Sequence, residues 1–366
     1  MREQRLEHLE SRDATPQLTV AKHQLRDWIE SKLAGLGERG DEAALVRELN
    51  AALSKEKLLC FFSTAGSPLC PDESWVGFLN EIRGRREGNN LIIETAVGIQ
   101  CGFDESAYIY EWTDGHWQRR WESEQNDYAK DRYKPQYLSA VHISLPDAKK
   151  SQMVLTLGRE SWCASNWHDV YYRLWRVGPQ DESPKLLLEG SDEWAFVEHP
   201  IQGTVEPDDA LIEYSTMSVD KGVLLRQTVH HYRIDGDKVE RTAPQALSPR
   251  DFADEWLSRP WSSSVSWSEP AARAPLQQWH RRLHSDSPNG EFDDPSLHCP
   301  KNPDLWQVGI DLDPASGKGK RVATYFLVRW RPPYRFSLVN ISNRPFLGCT
   351  EKDPDADASR TLFPGQ

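Results

Sequence analysis

The amino-acid sequence predicts a mainly β protein: a propeller-like array of about four antiparallel, four-stranded units, with an N-terminal helical hairpin and a helical insertion before the last unit. Three observations predict it. Asp114-Gly115 and Asp235-Gly236 each separate two β-rich runs, and Gly accepts the positive φ that tight hairpin turns require. A third turn, through Gly178–Pro184, falls between them, so the hairpins recur about every 60 residues. Two further strand candidates precede each hairpin, which gives four strands per unit, the layout of a propeller blade. A β-sandwich, or β repeats followed by a C-terminal α+β unit, are the alternatives this pattern leaves open.

The N-terminal segment, residues 1–56, reads as two helices. Over 17–37, Leu18, Ala21, Leu25, Trp28, Ile29, Leu33 and Leu36 keep the spacing of one apolar stripe, and Gly35 and Gly37 supply a stop. Over 41–54, Asp41 stands at the N-cap position and Val46, Leu49 and Leu53 share a face. Three β units are expected over 57–247. In the first, Val76–Ile82 and Leu91–Val97 precede the hairpin of Tyr108–Trp112 and His116–Glu122. In the second, Tyr137–Leu145 and Gln152–Leu157 precede Val170–Val177 and Lys185–Gly190. In the third, Ile201–Val205 and Ala210–Met217 precede Val229–Ile234 and Asp237–Thr242. Residues 248–286 read as the helical insertion, with helix starts at Ser248-Pro249 and Ser268-Glu269-Pro270. A closing β unit over 287–349 contains Leu305–Leu312, Thr324–Arg331 and Tyr334–Ile341. The acidic residues 350–366 read as a mobile tail.

Charge and composition exclude some functions. The chain carries 44 Lys and Arg against 56 Asp and Glu, a formal charge of −12, which argues against a nucleic-acid partner because phosphate contacts need clustered cations. Apolar runs are only a few residues long, so no transmembrane span is expected. The charged residues 1–15 are not an intact secretory signal. A secreted or periplasmic location is expected if a leader has been removed, and a cytoplasmic one otherwise. Six cysteines without a CxxC pair exclude zinc-ribbon and thioredoxin spacings. Either they are buried thiols or they form two or three disulfides. Cys299 and Cys349, which flank the closing strands, are the best pair, whereas Cys101 and Cys163 would have to lie near the axis of a ring.

The sequence has no GxSxG, HExxH or GxxxxGK[ST] motif, so the chemistry must be sought in constellations. Trp162, Asn166, Trp167 and His168, followed by Asp169, lie between two strands of the second unit, where indoles stack and polar groups orient a ligand. His168 and Asp169 are the candidate catalytic pair. Trp117 and Trp121, four apart on one strand, share a face and would bind a sugar ring or an apolar partner if exposed. In His230-His231 neighbouring side chains point to opposite faces, which argues against a shared metal. Asp311 and Asp313 open a loop like those of calcium sites, but it lacks the later acidic ligands, so neither calcium nor any other metal or cofactor is expected. The leading functional expectation is a non-catalytic binding or interaction protein on a rigid β scaffold, its partner a protein or a carbohydrate. The alternatives are a hydrolase-type enzyme with a His/Asp polar site on an inter-strand loop, joined by His142 or His230, and a structural subunit without a ligand.

Overall fold

A computed structural model describes residues 15–38, 40–59, 61–62, 68–69, 78–99, 102–126, 136–160, 167–179, 182–196, 199–222, 225–242, 246–283, 289–293, 295–313, 320–331 and 335–352. The fold is mainly β, with four antiparallel four-stranded, blade-like sheets, N-terminal helices and a helical insertion. The chain forms two compact units: residues 1–192 with 205–207, and residues 193–204 with 208–366.

The first unit begins with α1 (Thr15–Leu33) and α2 (Glu42–Lys55). The Asp41 carboxylate caps α2 by accepting from the Ala44 N–H at 2.9 Å. After a small pair, β1 (Phe61–Phe62) and β2 (Pro68–Leu69), the first sheet follows: β3 (Arg83–Glu87), β4 (Asn90–Ile99), β5 (Gly102–Thr113) and β6 (His116–Ser123). Its first strand is therefore not Val76–Ile82. Phe78, Leu79 and Ile82 are buried and Leu79 bridges Val97 at the far end of β4, but the full strand that pairs with β4 is the Arg-rich β3, joined to it by a turn in which Gly88 has φ +61°. An edge strand with polar flanks lacks the apolar run that marks a central one, so the apolar segment before it drew the assignment. The hairpin of β5 and β6 turns through Asp114 and Gly115 at φ 53° and 81°, the double left-handed turn that Asp-Gly favours.

Alternation gives this sheet two buried faces. Leu91, Ile93, Tyr108, Tyr110 and Trp117 pack with Leu25, Ile29, Leu49 and Leu53 of the helices. On the opposite face Ile92, Ala107, Ile109 and Trp121 pack with Leu138, Val141, Val154 and Val177. These last belong to the second sheet, β7 (Gln136–Ile143), β8 (Gln152–Glu160), β9 (Trp167–Val177) and β10 (Lys185–Phe196).

After β11 (Gln202–Glu206), the second unit carries the rest of the third sheet: β12 (Asp209–Met217), β13 (Leu225–Asp235) and β14 (Lys238–Arg241). The helical insertion follows as α3 (Pro249–Ser258), α4 (Trp261–Ser264), a 3₁₀ turn at Pro270–Ala272 and α5 (Arg273–Leu283). Ser248 caps α3, its hydroxyl accepting from the Asp251 N–H at 3.0 Å, with Pro249 at the first helical position. Phe252, Ala253, Trp256 and Leu257 bury the apolar face of α3 against Val308, Ile310, Phe326, Val328, Phe336 and Leu338. Those residues come from the fourth sheet, whose first strand is split into β15 (Gly290–Phe292) and β16 (Leu297–His298), both paired with β17 (Leu305–Leu312). β18 (Val322–Arg331) and β19 (Arg335–Ser342) complete it, and the short β20 (Glu351–Lys352) pairs with β16. A Cys299–Cys349 disulfide closes this region. Cys101 and Cys163 lie outside the described residues. No helix among the described residues is long and apolar enough to cross a membrane.

Candidate functional site

The site is built on one face of the third sheet. Antiparallel pairing sets Leu211 opposite His231 and Asp209 opposite Arg233, while Arg233 faces Glu240 on the next strand. Because side chains alternate, Asp209, His231, Arg233 and Glu240 project to the same side. Thr242 continues that row: its N–H donates to the His231 carbonyl at 2.8 Å, which sets it directly across from His231.

Three of these side chains form a relay. The imidazole of His231 bonds to the Asp209 carboxylate through Nε2 and to the Thr242 hydroxyl through Nδ1, the latter at 2.7 Å. A carboxylate only accepts, so Nε2 carries the proton and donates to Asp209. Nδ1 then offers its lone pair, and the single Thr242 Oγ1–H has two acceptors in reach, Nδ1 at 2.7 Å and the His231 carbonyl at 3.3 Å. The order carboxylate, imidazole, hydroxyl is the arrangement by which a base activates an alcohol or a neighbouring water.

The relay opens onto a cleft of about 770 Å³, within the usual size range of small-molecule sites. Its second wall comes from the turn between α4 and α5, with Ser266, Ser268, Glu269 and Arg273, and from the hairpin of β18 and β19, with Arg331, Arg335, Phe336 and Ser337. Buried charge fixes that wall. The α3 carboxylates Asp254 and Glu255 are almost fully enclosed and pair with Arg226 at 3.0 Å and Arg241 at 3.1 Å, strapping the insertion to the third sheet. Trp256 Nε1–H donates to Ser268 Oγ at 3.1 Å, and Ser268 Oγ–H to the Ser264 carbonyl at 2.8 Å, which holds the α4–α5 turn.

The other two carboxyls of the cleft are not set up as proton donors. Burial acts to raise the Glu269 carboxyl, but hydrogen bonds from Ser337 at 2.7 Å and Arg329 at 2.6 Å outweigh it and hold the group below its ordinary range. The hydrogen bond from Lys238 likewise lowers exposed Glu240. Glycoside cleavage by paired carboxyls needs one of them raised to serve as an acid, and neither Glu269 nor Glu240 is raised.

The sequence-derived candidates fall elsewhere. His168 and Asp169 sit within β9 rather than on an inter-strand loop, and as neighbours on a strand they project to opposite faces. Trp167 is half-buried at the start of that strand. Trp162 and Asn166 lie outside the described residues. Trp117 and Trp121 are buried and do not share a face: Trp117 packs with the helices, Trp121 with the second sheet. The cause is a bulge. Trp121 pairs with Ile109 and Arg119 with Tyr110, so Arg120 is an extra residue that reverses the alternation between the two indoles. His142 is largely buried beside Arg85, and burial, with that guanidinium, lowers its pKa. His230 is buried between Tyr214 and Tyr232, to whose hydroxyls it bonds at 3.1 and 3.3 Å. Asp313 pairs with Lys221 and with Arg321, the latter at 3.0 Å, while Asp311 pairs across the strands with Ala323. Among the described residues, no cluster of three or more His, Cys, Asp or Glu side chains could hold a metal.

Asp209, Thr242 and the arginines of the cleft were missed by the sequence reading. One signal was present: counting back from the Asp235-Gly236 turn sets 233 against 240 and 231 against 242.

No protein-family model matches the chain, and no curated protein matches it. Among solved structures it aligns with an α-L-arabinanase of Cellvibrio cellulosa at 6% identity and TM-score 0.26, over 72% of this chain and 77% of that one. It aligns with a xylan β-1,4-xylosidase of Bacillus halodurans C-125 at 11% identity and TM-score 0.21, over 77% and 60% of the two chains. A sialidase of Trypanosoma rangeli aligns at 7% identity and TM-score 0.20, over 77% and 56%. Against the expectation of a non-catalytic binding or interaction protein stands the carboxylate–imidazole–hydroxyl arrangement of Asp209, His231 and Thr242 on an open cleft. The burial of Trp117 and Trp121 also removes one of the two aromatic groups on which that expectation relied; of the other, Trp167 is half-buried and Trp162 lies outside the described residues.

Proposed function

We propose that the protein is a hydrolase whose reaction takes place in the cleft of the second unit, with His231 as general base. Asp209 accepts from His231 Nε2–H, fixes the tautomer and stabilises the imidazolium that forms. Nδ1 takes the proton of the Thr242 hydroxyl, or of a water in its place, as that oxygen attacks an ester-type carbonyl or phosphoryl centre. The imidazolium returns the proton to the leaving oxygen. Where Thr242 has attacked, a water deprotonated by Nδ1 then cleaves the ester on its oxygen, and the imidazolium returns the proton to Thr242. The observation that carries this reading is the Asp209–His231–Thr242 relay on the wall of an open cleft. Carbohydrate esters are the first substrates to test. The Cys299–Cys349 disulfide supports an oxidising, secreted or periplasmic setting, because such bonds seldom persist in reducing compartments.

The test is a panel of chromogenic acyl esters, phosphate esters and glycosides, assayed with the wild type, His231→Ala and Asp209→Asn. A positioned general base contributes roughly 10²- to 10⁴-fold, so both substitutions should lower kcat/KM by at least about 10² with the melting temperature nearly unchanged. Turnover equal to wild type in His231→Ala would remove the reading, and so would cleavage confined to glycosides.

A further inference from the structure

The cleft's second feature is an excess of guanidinium groups. Arg233, Arg241, Arg273, Arg331 and Arg335 line it, against the carboxylates of Asp209, Glu240 and Glu269. Each carboxylate already has a partner: Asp209 holds His231, Glu240 holds Lys238, and Glu269 holds Arg329 and Ser337. Arg241 is spoken for by buried Glu255. Among the described residues, no carboxylate makes a close ion pair with Arg233, Arg273, Arg331 or Arg335, although Arg233 is set across the strands from Asp209 and Glu240, and Arg331 acts on Glu269 from farther away. Four guanidinia therefore converge on one open cleft in a chain whose formal charge is −12.

The hairpin sharpens the point. Arg331 and Arg335 are directly opposed across β18 and β19. Like charges at directly opposed positions destabilise an antiparallel pair, so folding alone gives no reason to set two arginines there. A bound anion does. A guanidinium presents a planar fork of donors that matches the oxygens of a carboxylate or a phosphate, and a concave site lined by one sign of charge concentrates ions of the other.

We propose that the cleft takes an oxyanion-bearing substrate, its carboxylate or phosphate group held by Arg331 and Arg335 with Arg233 and Arg273 at the rim. This names the substrate class of the site described above and rests on that reading only for turnover; binding stands by itself. The paired arginines are binding groups and take no part in proton transfer. They hold the charged end of the substrate while the relay acts on the scissile bond.

Calorimetric titration of the full chain tests it, with trigalacturonate as the carboxylate probe, glucose 6-phosphate as the phosphate probe and maltotriose as the neutral control. The wild type should bind at least one of the two anions tenfold or more tightly than maltotriose, with affinity falling as salt rises. The R331A/R335A variant should lose tenfold or more of that affinity and melt no lower than wild type, and His231→Ala should bind the anion as wild type does. Whichever anion binds identifies the group. Equal affinity for anions and maltotriose, or undiminished anion binding in R331A/R335A, overturns the proposal. Failure of the hydrolase reading would look different: anion binding intact, with no turnover that depends on His231.

Discussion

Both units bury ion pairs, and the second also gathers exposed like charges in a cleft. In the first, ionised groups are driven inward and paired. Lys22 and Asp104 have no exposed side-chain surface, sit 2.8 Å apart, and the lysine also donates to the Gln125 carbonyl. Glu124, equally enclosed, accepts from Arg26 at 3.1 Å and from the Tyr108 hydroxyl at 2.5 Å. These contacts pin α1 to the first sheet. In the second unit Arg226 and Arg241 are paired inward in the same way, but Arg273, Arg331 and Arg335 of the cleft face solvent without a close carboxylate partner, and the hairpin even sets two of them against each other. A buried pair keeps one element on another, because desolvating either charge alone is costly. An exposed set of like charges holds nothing together, and its value must lie in what it attracts.

The largest expected effect tests the first half of that contrast. Asp104→Ala strands the Lys22 ammonium in the interior and should cost about 3–5 kcal/mol, read from denaturant midpoints. The double replacement Lys22→Met with Asp104→Leu removes both charges and should recover most of the loss, since apolar groups of similar volume can replace a buried pair at little cost. If the single variant is as stable as the wild type, the interior charges of the first unit are not structural and the contrast collapses.

Next comes a pH effect in the same unit. Burial pushes the Glu105 carboxyl up from 4.5 to about 8, with the Arg83 guanidinium opposing the shift. The native state thus keeps a proton that the unfolded chain releases. Between about pH 4.5 and 8 the folded protein binds more protons, so this group's contribution to stability falls as pH rises and levels off above about 8. Glu105→Gln cannot ionise. It should flatten that slope and gain on the order of a few kcal/mol over wild type at alkaline pH. Parallel stability–pH curves for the two proteins would show that Glu105 titrates as an exposed carboxyl does.

In the second unit Thr242 is the sharper probe, because its effect should fall on rate rather than on folding. Thr242→Val keeps the shape and removes the hydroxyl. If the hydroxyl is the attacking group, kcat should fall about 10²-fold or more, while stability changes by about 1 kcal/mol, the worth of one hydrogen bond. Thr242→Ser should restore most of the rate. Undiminished turnover in Thr242→Val would leave water as the nucleophile activated by His231.

These sites differ in how far the sequence could show them. The β units were legible because Asp-Gly turns and alternating runs are local signals, and the Asp41 and Ser248 caps were legible for the same reason. What failed were long-range matters of phase and pairing. One extra residue, Arg120, sends Trp117 and Trp121 to opposite faces, and no sequence count reveals where a bulge falls. The His231–Thr242 contact was within reach from the Asp235-Gly236 turn. Asp209 was not: its place beside His231 depends on the register of β12 against β13, across a long connection. The cleft itself adds segments more than 100 residues apart, from Asp209 to Ser337. Composition pointed the wrong way here, since a chain with a charge of −12 gives no hint of a local cationic wall.

The smallest expected effect is the one on which the contrast turns. Arg331→Ala removes an exposed charge that makes no close ion pair, acts on Glu269 only from a distance and faces a like charge across the hairpin, so it should leave stability within about 0.5 kcal/mol of wild type or raise it slightly. Relief of repulsion should weaken with salt, because exposed charges are screened over roughly 10 Å at 0.1 M. Comparing melting temperatures at low and high ionic strength isolates this term: any gain of the variant over wild type should shrink as salt rises. A loss of 2 kcal/mol or more would mean that the guanidinium supports the hairpin, and the cleft's arginines would then be doing the same structural work as the buried pairs of the first unit.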